Sequence, residues 1–369
     1  MLRVTCLVPY PREMAGGQRF RFEQWVSLLP PGALDMHVRP LWDPTTYGVL
    51  YDKGHLGRKA SGLMAGLGRR IADIARAQRA DAIFVYREAF PLGPAFVEPL
   101  AARRVPLVYD FDDAVYLGDT SRANSFARHL KWPSKVARIV RDAAVVTAGN
   151  AHLASWAAGH ASDVRVIPTT IDVERYRPPL RSPRRPGEML RIGWYGSPTT
   201  SPHLRSVAGA LRRALDELPV ELVVVGDPGF RLPGAPRVTV RPWDPKTELA
   251  EVGAFDIGIM PLPDDEWSRA KCGFKALLYM SMGVPTVASP VGVNSEIIEH
   301  GRNGLLATAE AEWLESLGSL VDEGLRHRLA VAGRETVVER YSAQRWAPAF
   351  LEAIGDAVAK CARQSHRAP

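Results

Sequence analysis

Arg269, Lys271 and Lys275 crowd into one short stretch, Arg269-Ala-Lys-Cys-Gly-Phe-Lys275, around Cys272, Gly273 and Phe274. Fixed cations of this kind suit a diphosphate, because they stabilise the negative charge that develops on a leaving phosphate. The Gly-Phe step opens a helix, which stops at Gly283 with Pro285 just beyond. A buried strand follows. Pro290-Val-Gly-Val-Asn-Ser then opens a second helix, which Asn294 or Ser295 caps, with Glu296 in its first turn. Two helix N-termini therefore face the carboxyl end of one strand, where α/β folds bind phosphates and nucleotides.

Three further segments carry polar groups at strand ends. Gly196 closes the strand 190–195 and permits close backbone approach, while Ser197 and Thr199 offer hydroxyls to a phosphate. Asp227 ends the next strand and lines the same place. Near the N-terminus, Gly16 and Gly17 follow the first strand, and Arg19 and Arg21 begin the helix after them, within reach of its carboxyl end. Asp110, Asp112 and Asp113 follow another buried strand. Three carboxylates so close together are electrostatically costly unless used or paired. They bind acceptor hydroxyls, accept a proton, or pair with Arg87, which with Glu88 ends the preceding strand.

These loops need a scaffold of parallel strands. Short, nearly continuous apolar runs mark strands at 2–8, 82–86, 106–109, 144–147 and 164–167, and again at 190–195, 221–225, 238–241, 257–261 and 284–289. Helical stretches alternate with them at 18–29, 63–78, 134–141, 203–217, 275–282, 295–300 and 309–322. Alternation of this kind implies an α/β architecture with parallel sheets. Residues 177–188, rich in proline and arginine, read as a linker between domains 1–176 and 189–342. Residues 343–369 form a C-terminal helix, regular from Pro348, that returns to the first domain, with a frayed tail from Arg363.

Composition narrows the class. With 46% hydrophobic and 24% charged residues, the chain is ordinary globular protein with two cores. Cys6, Cys272 and Cys361 are too scattered for a disulfide framework or zinc site, and no histidine pair has metal-ligand spacing, so no metal is expected. No signal peptide or membrane-spanning stretch is read, which points to the cytoplasm. The net charge of +7 suits an anionic partner: a nucleotide, an anionic membrane or nucleic acid. Nucleic acid is set aside, since the basic residues do not interleave with aromatics on one element. The stretch 122–141 reads as a basic amphipathic element that docks peripherally on anionic lipid at the inner face of the membrane, or as a surface helix over the core.

Residues 279–289 and 296–306 resemble the donor region of retaining GT-B glycosyltransferases of family 4 (glycosyl transferases group 1), with E-A-M-A-x-G-x-P-V-V-A and G-x-N-G-x-L among its motifs. Residues 166–178 resemble that family's interdomain segment. The resemblance implies two Rossmann-like domains with parallel sheets facing across a cleft. It also implies a nucleotide-diphosphate sugar as donor substrate, without a cofactor, bound by the second domain. The acceptor, a glycan, lipid-linked group or small molecule, belongs to the first, and Gly16 and Gly17 match a Gly-Gly loop that touches both. Hexosyl transfer with retention follows, in cell-surface polysaccharide, glycolipid or glycosylated-metabolite synthesis, with the leaving diphosphate assisting deprotonation of the acceptor. The family's two glutamates fall at Ala270 and Leu278, so both carboxylates are missing. That loss keeps two other readings open: a non-catalytic scaffold that binds nucleotide or glycan, and a nucleotide-sugar epimerase. Asp-x-Asp is also the metal-binding pattern of GT-A enzymes, though nothing else in the chain suggests that fold.

Overall fold

The computed structural model describes residues 1–118, 130, 132–180 and 187–365. The apolar runs become two parallel sheets. The first holds β1 (Leu2–Val8), β2 (Leu34–Pro40), β3 (Ala82–Tyr86), β4 (Leu107–Phe111), β5 (Val145–Ala148) and β6 (Val164–Val166). The second holds β7 (Leu190–Tyr195), β8 (Val220–Val225), β9 (Val238–Arg241), β10 (Ile257–Met260), β11 (Thr286–Ala288) and β12 (Leu305–Leu306). Strands β3, β4 and β5 are buried at every residue, which is why they read as unbroken apolar runs.

The strand orders locate the chemistry. The first sheet runs β2-β1-β3-β4-β5-β6 and the second β12-β11-β10-β7-β8-β9. In each, the order reverses beside the sheet's first strand: between β1 and β3, and between β7 and β10. Loops leaving the carboxyl ends of strands diverge at such switch points and leave a crevice for ligands.

The chain divides into two compact units. One is Met1–Thr169 with the chain from Trp346 on; the other is Thr170–Arg345. Segment 170–176 belongs to the second unit for physical reasons. Ile171 exchanges backbone hydrogen bonds with Tyr341 and Ala343, and Arg334 donates to the carbonyls of Val173, Tyr176 and Ser281 at 3.2, 3.2 and 2.5 Å. Of the linker 177–188, residues 181–186 lie outside the described residues; a side chain at Gly283 or Gly253 would meet Pro178 or Pro179.

Several element expectations need correction. The helix expected at 18–29 is broken: Arg19–Glu23 is wound more widely and Arg21 leaves helical geometry, before Gln24–Leu28 resumes. The helix expected from 203 begins as a tight 3-10 segment, Ser201–Val207, and becomes α-helical only at Ala208–Glu217. Pro348 does not start the C-terminal helix. Ala343–Ser365 is continuous, with the proline inside it; of the tail expected to fray from Arg363, residues 366–369 lie outside the described residues. Strand β2 and helix Glu323–Arg340 were not foreseen; β2 alternates charged with apolar residues at the sheet edge.

For the basic segment 122–141, residues 122–129 and 131 lie outside the described residues. The described helix Ser134–Asp142 turns Val136, Ile139 and Val140 into the core. Lys135 is buried too, 2.5 Å from Glu88 and donating to the Phe90 carbonyl at 2.7 Å. This part is a core helix, and its apolar side is not open to lipid.

Candidate functional site

In the second unit, the β7 and β8 loops meet at two glycines. Gly226 has a φ of +102°, and any side chain there would run into the Gly196 carbonyl, so the backbones pack directly. The Ser197 hydroxyl lies 2.8 Å from that of Thr199, and the Ser197 amide donates to the Thr200 hydroxyl at 3.2 Å. Asp227 accepts from the Ser201 hydroxyl and, at 3.0 Å, from the Gly229 amide. It therefore braces the loop.

Across the switch point, the loop after β10 carries the cations. Gly273, at φ +69°, precedes helix Phe274–Ser281, and a side chain there would strike Ile297. Glycine thus lets helix Asn294–Ile297 pack against the start of its neighbour. Tyr279 fixes the helix to β7, its hydroxyl accepting from the Tyr195 amide at 2.8 Å. The Lys271 ammonium stands 4.9 Å from the centre of the Trp267 ring, and that of Lys275 stands 5.5 Å from Trp194. Indole faces hold cations without neutralising them. His203, on the 3-10 segment after β7, has its pKa pushed down to about 4, first by burial and then by the charges of Lys275 and Lys271. The two lysines and the histidine thus share one electrostatic field.

In the first unit, Gly17 sits where a side chain would come 2.6 Å from the Tyr86 hydroxyl, 3.1 Å from Asp112 and 3.2 Å from Arg87. The loops after β1, β3 and β4 therefore converge at this sheet's switch point. Arg87, held at φ +60°, pairs with Asp112 at 2.7 Å and reaches Asp113 at 3.6 Å. The Tyr86 hydroxyl donates to Asp112 at 2.8 Å. Burial would raise Asp112, but Arg87, Arg21 and Tyr86 together hold it below the ordinary aspartate range. Arg70, fully buried, donates to the carbonyls of Val8 (2.7 Å), Arg39 (3.0 Å) and Ala89 (2.7 Å), and so ties together the chain leaving β1, β2 and β3.

Residues 192–323 match the family described as Glycosyl transferases group 1. A D-inositol 3-phosphate glycosyltransferase of Stackebrandtia nassauensis is 30% identical over 233 residues, covering 56% of this chain and 52% of that protein. The chain thus spans about half the length of the curated relative it matches. Among solved structures, HepE of Anabaena, crystallised with UDP and glucose, superposes with a TM-score of 0.65 at 17% identity, over 96% of this chain and 100% of that one. Sucrose-phosphate synthase of Thermosynechococcus elongatus gives 0.66 at 15%, over 100% of each chain. Residues 192–323 are a glycosyl transferases group 1 domain, and the chain has the GT-B fold.

Within the group 1 domain, Gly196, Ser197, Lys271, Gly273, Phe274 and Lys275 flank the switch point. Thr199 is exposed beside them, and Cys272 is tucked under the loop. Three further expected members have other settings. The Arg269 side chain turns to solvent and pairs with Asp264 at 2.7 Å. Glu296 is exposed. Asn294 does not cap its helix: wholly buried, it donates to the Ser289 carbonyl at 3.0 Å, and Val293 occupies the cap.

In the first unit, Gly16, Gly17, Arg87, Asp112 and Asp113 are near the convergence. Arg21 and Asp110 are instead wholly buried and bonded to each other, with Arg21 also donating to the Ile167 carbonyl and Thr147 to Asp110 at 2.6 Å. Burial raises Asp110, and Arg21 and Thr147 draw it back. Arg19 is buried beside Phe20, and Glu88 is taken up by Lys135. Sequence reasoning missed His203, Trp194, Tyr279 and Arg70. His203 stood in plain view after the Ser/Thr loop; the others read as core residues or as one more arginine on a helix.

Proposed function

We propose that this chain is a glycosyltransferase that moves a hexosyl group from a nucleotide-diphosphate sugar to an acceptor hydroxyl, with retention of configuration. The observation that carries the reading is the shared field of Lys271, Lys275 and His203 at the switch point of a group 1 domain. A diphosphate is the kind of anion that fixed cations bind, and the β7 loop at Gly196 and Ser197 offers it close backbone approach. HepE, solved with UDP-glucose, is a protein of the same fold with such a donor. As the glycosidic bond breaks, charge grows on the leaving diphosphate, and Lys271 and Lys275 stabilise it there. The acceptor is held by the first unit around Gly17, where Arg87 orients Asp112 and Asp113 toward its hydroxyls. The leaving diphosphate takes the acceptor proton on the same face. We place this transfer in polysaccharide, glycolipid or glycosylated-metabolite synthesis.

The test is turnover of UDP-, GDP- and TDP-sugars, read by mass spectrometry over a panel of sugar, polyol and lipid-linked acceptors. Failure to bind or consume any of them would remove the proposal. One observation favours a second reading, a non-catalytic nucleotide-binding scaffold: Ala270 and Leu278, where the family has glutamates, are both completely buried and apolar. Nucleotide binding without transfer, indifferent to Lys271→Ala, would select it.

A further inference from the structure

Helix Leu56–Ala77 confines its charges to one side. It contains Arg58, Lys59, Arg69, Arg70 and Arg76 against a single carboxylate, Asp73. With about 100° between successive residues, all six fall within an arc of about 120°. The middle of that arc enters the fold: Gly62 packs on Thr46, Gly66 on Leu41, and Arg70 anchors the loops of the sheet. The helix is thus held rigidly from one side.

Its opposite side carries no charge. Leu56, Met64 and Ile71 project there, 61%, 66% and 61% exposed. Ala60, Ser61, Ala65 and Gly68, also exposed, fill the surface between them. The result is a continuous apolar strip on the surface of the first unit. Apolar patches of this size on a monomer often have a function.

We propose that this strip docks on an anionic phospholipid surface, with the helix lying in the plane of the headgroups. Charge supports this occupant. On the shoulder of the strip, Arg58 and Arg69 share Asp43, at 3.2 and 4.0 Å, and Arg76 lies 3.3 Å from Asp73, whose charge the buried Arg70 already meets at 3.0 Å. Three exposed guanidinia thus stand against Asp43, and an excess of positive charge remains beside the apolar face. Cations at headgroup depth beside an apolar helix face are the pattern of in-plane membrane helices. Area argues against a second copy of the chain. A strip about 24 Å long and about 10 Å wide covers roughly 240 Å², well short of the about 800 Å² per partner in a stable interface. Docking on lipid needs no substrate, so it stands or falls independently of the transferase reading.

Vesicle flotation of the full chain tests it. The probes are vesicles of phosphatidylcholine alone, and of phosphatidylcholine with about one third phosphatidylglycerol. The wild type is expected to float with the anionic vesicles at low salt and to stay in solution with the neutral ones. Met64→Glu with Ile71→Glu should cut binding by about tenfold or more, while Met64→Leu with Ile71→Val preserves it. All four substitutions face solvent, and unchanged circular dichroism and Tm confirm that the fold is kept. Equal recovery of the wild type in solution with both vesicles overturns the proposal, as does wild-type binding by the double glutamate variant. A dimer that the glutamates dissociate, with no vesicle binding, assigns the strip to a second copy and overturns it too.

Discussion

Lys271 and Lys275 each stand over an indole ring, and both repel a proton from His203. Lys271→Ala should lower kcat/KM by about 2–4 kcal/mol, because the charge of the leaving group then lacks a fixed cation. Unchanged steady-state kinetics in the folded variant would place Lys271 outside the reaction. His203 makes a separate prediction. Its folded pKa, about 4, lies below the ordinary value of 6.5, so the unfolded chain takes the proton first as pH falls. Stability from this residue is therefore complete above about pH 6.5 and is lost as pH drops toward 4. A bound diphosphate reverses the field and raises the pKa, so nucleotide binding should take up a proton and tighten between pH 7 and about 5. Titration calorimetry in two buffers of different ionisation enthalpy measures that uptake. It should vanish in His203→Gln.

At the scale of elements, Gly17 and the Arg21–Asp110 pair hold the first sheet's loops in register. Gly17→Val would push a side chain into Tyr86, Asp112 and Arg87. It should cost about 1–3 kcal/mol of stability and raise the acceptor KM. Arg21→Met leaves Asp110 buried without its partner, and should cost about 3–5 kcal/mol in denaturant unfolding. An apolar replacement of both residues should recover much of that loss. The same residues show how much the sequence could reveal. Most strands were legible because burial on both faces forces unbroken apolar runs; β2, at the sheet edge and only partly buried, was not. Asp110 and Asp112 looked alike in sequence, but residues two apart share a face only while the strand continues, and β4 ends at Phe111 between them. One carboxylate enters the core and the other the loop cluster, and spacing alone does not say which. Lys271, Lys275 and Gly196 could be placed because helix starts and strand ends have local signatures. The Arg70 clamp rests on contacts with three separate strands, which no local pattern encodes.

For the whole molecule, the C-terminal helix sets an unusual dependence. Its body belongs to the first unit, where Phe350 packs 5.3 Å from both Trp25 and Phe84, and Asp356 and Lys360 pair with Arg165 and Asp163. Ending the chain at Arg345 should therefore expose the core of residues 1–169. In hydrogen exchange, amides of β1 and β3 should lose protection while those of β7 and β8 keep it; the opposite pattern would refute this division. The central claim is that the group 1 domain grips a donor diphosphate between the β7 loop and the Lys271–Lys275 segment. A crystal structure with UDP tests it most directly. The result expected is a β-phosphate beside the β7 loop and within about 3 Å of the Lys271 or Lys275 ammonium. A diphosphate seated elsewhere, with both lysines out of reach, would contradict it.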